Sequence, residues 1–93
     1  MKKFSKSQTI TKSNLENVPG NKPGVYRIKN TQGEILYIGR AKGARLPDRI
    51  MEHKGEITGG TKFQFRVTSS KEGAIKLEQQ EIKKYRPIVN KEV

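Results

Sequence analysis

Two short β-rich runs on either side of a turn sequence limit what this chain can become. Gly24-Val25-Tyr26-Arg27-Ile28-Lys29 alternates along its length, Asn30-Thr31-Gln32-Gly33 carries turn residues, and Glu34-Ile35-Leu36-Tyr37-Ile38-Gly39 is β-rich again. Such a pattern predicts an antiparallel hairpin. With Gln32-Gly33 as a two-residue loop, Thr31 faces Glu34, Ile28 faces Tyr37 and Tyr26 faces Gly39. Side chains alternate with period two, so Tyr26 and Tyr37 then project from the same face of the hairpin, and a slip of one residue separates them.

The rest of the chain supplies partners for that hairpin. Lys62 to Thr68 alternates strictly, with Phe63, Phe65 and Val67 on one face, and reads as a third, half-buried strand. Pro47 suits the first turn of a short helix running to about Lys54, with Asp48 near its positive end. Ser69 and Glu72 fit a capping box, predicting a second helix from about Ser70 to Tyr85, where Pro87 stops it. The expected fold is α+β, a small three-stranded antiparallel sheet flanked by helices. Residues 1–14 read as a basic, flexible N-terminal arm, and 15–93 as the folded domain, with Leu15 or Val18 packed in its lead-in.

With 93 residues the chain makes one domain, and with 31% of them hydrophobic its core is thin. It has no cysteine, which excludes disulfides, a thiolate zinc site and a cysteine nucleophile, and its lone His53 excludes a multi-histidine metal site. Any metal must therefore be a hard cation held by oxygen. No apolar run is long enough to span a membrane, and the lysine-rich N-terminus lacks the apolar stretch of a secretory signal, so a cytoplasmic protein is expected. Twenty Lys and Arg stand against nine Asp and Glu, a net charge of +11. That excess draws polyanions and favours nucleic acid through counterion release.

Several polar residues occupy positions where apolar ones are expected. Glu78 lies near the middle of the helical arc formed by Ala74, Ile75, Leu77, Ile82 and Tyr85. A carboxylate there needs a compensating partner: either a structural ion pair, with Arg49 a candidate, or a divalent cation held against a substrate phosphate. Arg49 and His53 share one helix face at i, i+4. Tyr26 and Tyr37 are ordinary strand aromatics when taken alone, and Asn90 could simply form a turn. Their joint order is more specific than any one of them.

In that order the chain resembles the GIY-YIG nuclease superfamily from about Gly24 to Asn90. Gly24-Val25-Tyr26 matches its first element and Tyr37-Ile38-Gly39 its second, with Arg40 as the basic residue that follows. Arg49, rather than Arg45, falls on the family's helical arginine, because it alone places His53 at the four-residue offset that members fill with His or Tyr. Glu78 matches the metal-binding glutamate and Asn90 the late asparagine. Lys83-Lys84-Tyr85-Arg86-Pro87 resembles the corresponding stretch of the incision subunit of bacterial nucleotide excision repair.

The resemblance implies an endonuclease that hydrolyses DNA phosphodiester bonds with one divalent cation, Mg²⁺ or Mn²⁺. The alternative is a non-catalytic basic protein that binds DNA or RNA on the same fold. In the nuclease, Glu78 is expected to hold the metal, Arg49 to neutralise phosphate oxygens, and Tyr26 to accept a proton from the attacking water by way of a lowered phenol pKa or a relay. Tyr37 is expected to orient that water or the phosphate, and His53 to assist proton transfer. Arg40, Lys42, Arg45 and Asn90 are expected on the nucleic-acid side, with Asn90 also bracing the carboxylate or its loop. No organic cofactor is expected, and a monomer or weak homodimer is.

Overall fold

The computed structural model describes residues 3–41 and 45–91. In chain order the elements are β1 (Gln8–Thr9), α1 (Lys12–Leu15), β2 (Gly24–Lys29), β3 (Ile35–Ala41), α2 (Leu46–Glu52), β4 (Lys62–Val67), α3 (Lys71–Tyr85) and α4 (Ile88–Lys91). The hairpin of β2 and β3 has the expected register at the tyrosines: Tyr26 faces Gly39 and Ile28 faces Tyr37. It reaches that register by another route. The Asn30 N–H donates to Glu34 O at 3.0 Å and the Gly33 N–H to Asn30 O at 3.1 Å, so the loop has one more residue than a Gln32-Gly33 turn. Gly33 closes it at φ 91°, a left-handed conformation that costs glycine little. Lys29 then faces Ile35, and an irregularity beside Ile28 leaves Leu36 as an extra residue that restores the pairing.

Among the described residues the sheet is antiparallel, in the order β1-β4-β2-β3, and has four strands rather than three. Central β2 is buried on both faces. Tyr26 and Ile28 pack with Phe63, Phe65, Leu46 and Ile50 on the α2 side. Val25 and Ile38 pack under Ala74, Leu77 and Ile82 of α3 on the other. The added strand comes from the segment expected as a flexible arm. Gln8 pairs with Phe63, the Ser5 N–H donates to Phe65 O at 2.8 Å, and the Ile10 N–H to Thr61 O at 2.9 Å. Ile10 is 1% exposed, and both Leu15 and Val18 are buried. One apolar residue in a polar stretch makes no periodic pattern, yet the outer edge of β4 carries backbone groups that need partners, and β1 supplies them.

Helix ends also differ in detail from the sequence pattern. The cap of α3 is Ser70, whose Oγ accepts the Gly73 N–H at 3.0 Å, so Ser69 and Glu72 do not form the expected box. Arg86 ends α3 in a left-handed conformation, φ 47°, with its N–H donating to Ile82 O at 2.8 Å. Pro87 follows, and α4 turns back along β3. Helix α2 stops at Glu52, leaving His53 as its C-cap. No helix among the described residues is long and apolar enough to cross a membrane.

Because Ile10 lies in the core, Ile10→Ala should destabilise the domain by about 2–5 kcal/mol, the usual cost of emptying a buried aliphatic site. Chemical denaturation followed by far-UV circular dichroism would measure this. An unchanged midpoint would show that residues 5–14 do not pack on β4 in solution.

Candidate active site

The hairpin register brings three rings together on the α2 side of the sheet. Tyr26 and Tyr37 have ring centroids 6.2 Å apart, and His53 lies 5.5 Å from Tyr26 and 4.8 Å from Tyr37. The Tyr26 hydroxyl is 2.7 Å from His53 Nε2. His53 Nδ1 is buried with no hydrogen-bond partner, 3.7 Å from Glu56 Oε1. The nearby carboxylate favours a proton on Nδ1, and in that tautomer the Tyr26 hydroxyl donates to Nε2. Gly39 is what lets the Tyr26 ring lie here: a Cβ at residue 39 would be 2.6 Å from Tyr26 Cζ and 2.9 Å from Tyr37 Cε2.

Burial governs the protonation of this cluster. It pushes the Tyr26 phenol well above its ordinary value, aided by Tyr37 and opposed by the Arg49 guanidinium. It raises Tyr37 too, with the Glu78 charge adding to it. His53 is held below its ordinary value by burial, reinforced by Arg49 and opposed by Glu56. All three groups are therefore neutral at neutral pH. The lowered phenol pKa offered as one route for Tyr26 is contradicted, because desolvation outweighs the nearby cation. Tyr26 is also fully buried, whereas Tyr37 faces outward.

Outward of Tyr37 lies a cleft of about 400 Å³ lined by Tyr37, Arg40, Ala41, Arg45, Arg49 and Glu78. It sits on the β3 edge of the sheet, where residues from both faces meet. Arg45 and Arg49 come from the α2 side, and Glu78 from α3 beneath. The ion pair of Glu78 is with Arg40, Nη1 to Oε1 at 2.8 Å, and not with Arg49. Arg40 and Glu78 meet because alternation turns Arg40 to the α3 face while Tyr37 and Gly39 face α2. No hydrogen bond from a described residue reaches Glu78 Oε2. The two arginines that competed for one role both line the cleft and are bridged by Glu52, at 3.1 Å from Arg45 and 2.9 Å from Arg49. Arg49 is the one whose charge acts on Tyr26, Tyr37 and His53.

Asn90 is engaged elsewhere than expected. Its Oδ1 accepts the Ile38 N–H at 2.7 Å and its Nδ2 donates to Ile38 O at 3.0 Å. Both ends of the amide thus pair with the backbone of the edge strand, and no hydrogen bond joins Asn90 to the Glu78 carboxylate among the described residues. Lys42 lies outside the described residues. The sequence pattern also missed three acids. Glu52 was visible only as an i, i+3 neighbour of Arg49, and Glu56 only as an i, i+3 neighbour of His53. Glu81 also falls within the apolar arc, between Leu77 and Ala74, and is the more buried helix acid, accepting the Arg27 Nε–H at 2.7 Å.

Comparisons with known proteins agree with this architecture. Residues 22–91 match the model of the UvrC-like GIY-YIG domain. UvrABC system protein C of Clostridium botulinum strain Hall is 38% identical over 87 residues, covering 82% of this chain and 14% of that protein. The protein of the same name from Clostridium acetobutylicum is 37% identical over 87 residues, with the same coverage of 82% and 14%. The chain thus spans a small part of the length of these relatives. Among solved structures, the GIY-YIG N-terminal endonuclease domain of UvrC from Thermotoga maritima, bound to its catalytic divalent cation magnesium, superposes with a TM-score of 0.62 at 30% identity, covering 84% of this chain and 97% of that one. A sheet edge where Tyr37, Arg49 and Glu78 line one cleft with Tyr26 buried behind Tyr37, matched over residues 22–91, shows that the chain belongs to the UvrC-like GIY-YIG domain family.

Proposed function

We propose that this protein is a metal-dependent endonuclease that hydrolyses DNA phosphodiester bonds in the cleft at the β3 edge. The observation that carries the reading is the joining of two parts that a binding module does not need together. One is an acid flanked by arginines, Glu78 with Arg40 and Arg49. The other is a buried hydroxyl–imidazole pair, Tyr26 and His53, immediately behind the cleft.

The residues fit a hard divalent cation. Glu78 would hold it through Oε2, which no described residue occupies. The described residues contain no group of three or more His, Cys, Asp or Glu that could cage a metal. One carboxylate suits Mg²⁺ or Mn²⁺, since such ions keep water and take phosphate oxygens as their remaining ligands. When bound, the cation supplies Lewis acidity toward the scissile phosphate. Arg49 presents a planar donor fork to the non-bridging oxygens, where negative charge grows in the transition state. Glu52 fixes the guanidinium that does so.

Proton removal from the attacking water runs through neutral groups. Tyr37 faces the cleft and orients the water, and Tyr26 and His53 stand behind it. A proton entering at the Tyr37 hydroxyl moves on to Tyr26, whose own proton passes over 2.7 Å to His53 Nε2. Each hydroxyl gains one proton and gives up one, so no phenolate is required and the raised phenol pKa values are no obstacle. The Arg40–Glu78 pair favours a second reading, a nucleic-acid-binding domain in which Glu78 is only a structural partner. The two readings differ in whether wild type cleaves, and in whether Glu78→Gln costs cleavage or only stability.

The deciding experiment is single-turnover cleavage of single-stranded, duplex and branched DNA with Mg²⁺ or Mn²⁺. Wild type should cut at least one of these and stop in EDTA. Glu78→Gln should remove cleavage while leaving DNA binding and the melting temperature nearly unchanged; a binding module would show no cleavage in either protein. Tyr26→Phe keeps the ring but breaks the relay, so the chemical step should fall by about 10²–10⁴-fold. Retained turnover in that variant would remove Tyr26 from the proton path.

The relay also sets the pH dependence. His53 must be neutral to accept a proton, and its pKa in the folded protein lies below the ordinary value of about 6.5. Cleavage should therefore hold at neutral pH and be lost as pH falls through that lowered value. Stability should follow the same sign: the unfolded chain binds the His53 proton more tightly, so the folded state loses stability below about pH 6.5. His53→Gln should abolish this acid limb of the melting profile. A limb that survives the substitution belongs to the carboxylates instead.

A further inference from the structure

Three arginines project from the sheet toward α3, and the structure satisfies only two of them. In the β2–β3 pairing Val25 faces Arg40, and in the β2–β4 pairing it faces Arg66. Arg40 and Arg66 therefore share one cross-strand row and one face, on opposite sides of α3. In the neighbouring row Arg27 pairs with Glu81 and donates to Gln64 Oε1 at 3.2 Å. Arg40 pairs with Glu78. Arg66 has no ion pair among the described residues, and its Nε is buried without a hydrogen-bond partner. The buried Nε–H has given up water and gained no partner in exchange, which is costly.

The surroundings of Arg66 are those of an anion site. It lines a cleft of about 940 Å³ together with Lys22, Thr68, Ser69, Lys76 and Gln80, and no described residue lining that cleft is acidic. On its Arg40 side α3 presents Glu78, but on its Arg66 side it presents Lys76 and Gln80. The side chains of Lys22 and Lys76 are likewise without ion pairs among the described residues. A planar fork flanked by two ammonium groups and hydroxyls matches a tetrahedral, multiply negative oxyanion.

We propose that this cleft is a second phosphate site, which takes a backbone phosphate of the same nucleic-acid strand that is cut at Glu78. The occupant rests on the nuclease reading; the anion site itself does not. Arg40 and Arg66 stand two interstrand spacings apart, roughly 10 Å between strand axes, a span a nucleic-acid strand can cover within a few nucleotides. On the Arg40 side a smaller cleft at the start of α3 is lined by Arg40, Lys71 and Glu72, so it carries charges of both signs. A strand crossing from Arg40 to Arg66 is gripped on both sides of the helix that carries Glu78, which fixes its register over the catalytic cleft.

The test uses wild type, Arg66→Met and Lys76→Gln, without divalent metal so that binding is read apart from cleavage. Inorganic phosphate at low salt should raise the melting temperature of wild type and not that of Arg66→Met. In phosphate-free buffer Arg66→Met should melt no lower than wild type, because it removes an unsatisfied group. Oligonucleotide affinity should drop about three- to tenfold in each variant. The log–log salt slope should flatten by about 0.7 on single strands or 0.9 on duplex for each phosphate no longer neutralised. Lys76→Gln alters an exposed residue and keeps the test open if Arg66→Met fails to fold. A lower melting temperature in Arg66→Met with phosphate protection retained would overturn the anion site. Phosphate protection abolished in Arg66→Met with oligonucleotide slopes unchanged in both variants would overturn nucleic acid as its occupant. A wild type that cuts nothing but shows these slopes would defeat the nuclease reading and leave the site standing.

Discussion

The contact of the Tyr26 ring with the bare backbone of Gly39 is the constraint on which the site depends. It exists only because β2 and β3 pair in one register, and the extra residue at Leu36 sets that register against a loop that would otherwise shift it. Any side chain at residue 39 would meet both tyrosine rings at distances no carbon tolerates. With the rings seated, His53 has one place to go. It caps α2 against them, and its Nε2 meets the Tyr26 hydroxyl. The arginines then follow from helix geometry, since Arg49 lies one turn before His53 and faces the cleft that Tyr37 borders.

The other half of the site comes from the opposite face of the sheet. Strand alternation sends Tyr37 and Gly39 toward α2 and Ile38 and Arg40 toward α3. A cleft that needs both sets can form only at an edge strand, where side chains from either face reach around the same backbone. Edge strands carry unpaired N–H and C=O groups and invite pairing with other chains. Here the Asn90 amide supplies both a donor and an acceptor to Ile38, replacing one residue of a neighbouring strand while occupying only the space of a side chain. The edge is closed locally and the cleft beside it stays open.

Much of this was legible in the sequence, and the failures share a physical origin. Alternation and turn residues give the hairpin, β4 and the facing of Tyr26 and Tyr37, because these depend on neighbours within a few residues. The apolar arc of α3 marks Glu78 as an acid out of place, and its side chain is indeed only 15% exposed. Its partner was not legible. Arg40, Arg45 and Arg49 are all within reach in sequence terms, and the choice among them is made by which face of which strand each occupies. The packing of residues 5–14 was invisible for a related reason: Ile10 is a single apolar residue, and its burial follows from an unsatisfied β4 edge far along the chain. Asn90 read as a group on the nucleic-acid side because nothing in Ile88 to Lys91 announces α4, a one-turn helix held by its contact with β3.

The arrangement of charge on α3 ties these observations together. A chain with a net charge of +11 has few acids to distribute, and α3 places two of them, Glu78 and Glu81, against arginines of the sheet. Glu81 is buried and its bond to Arg27 is further covered by the rings of Phe4 and Tyr85, with Arg27 Cζ 3.7 Å and 5.0 Å from their centroids. That pair is largely shielded from solvent and serves the fold. Glu78 pairs instead with an arginine whose side chain is 36% exposed, on the wall of an open cleft. Water reaches this pair from its arginine side, which weakens it and lets Glu78 exchange its partner for a cation more readily than a pair shielded on both sides. The same helix thus holds one carboxylate fixed and leaves the other available, and the difference is set by how much water reaches each arginine.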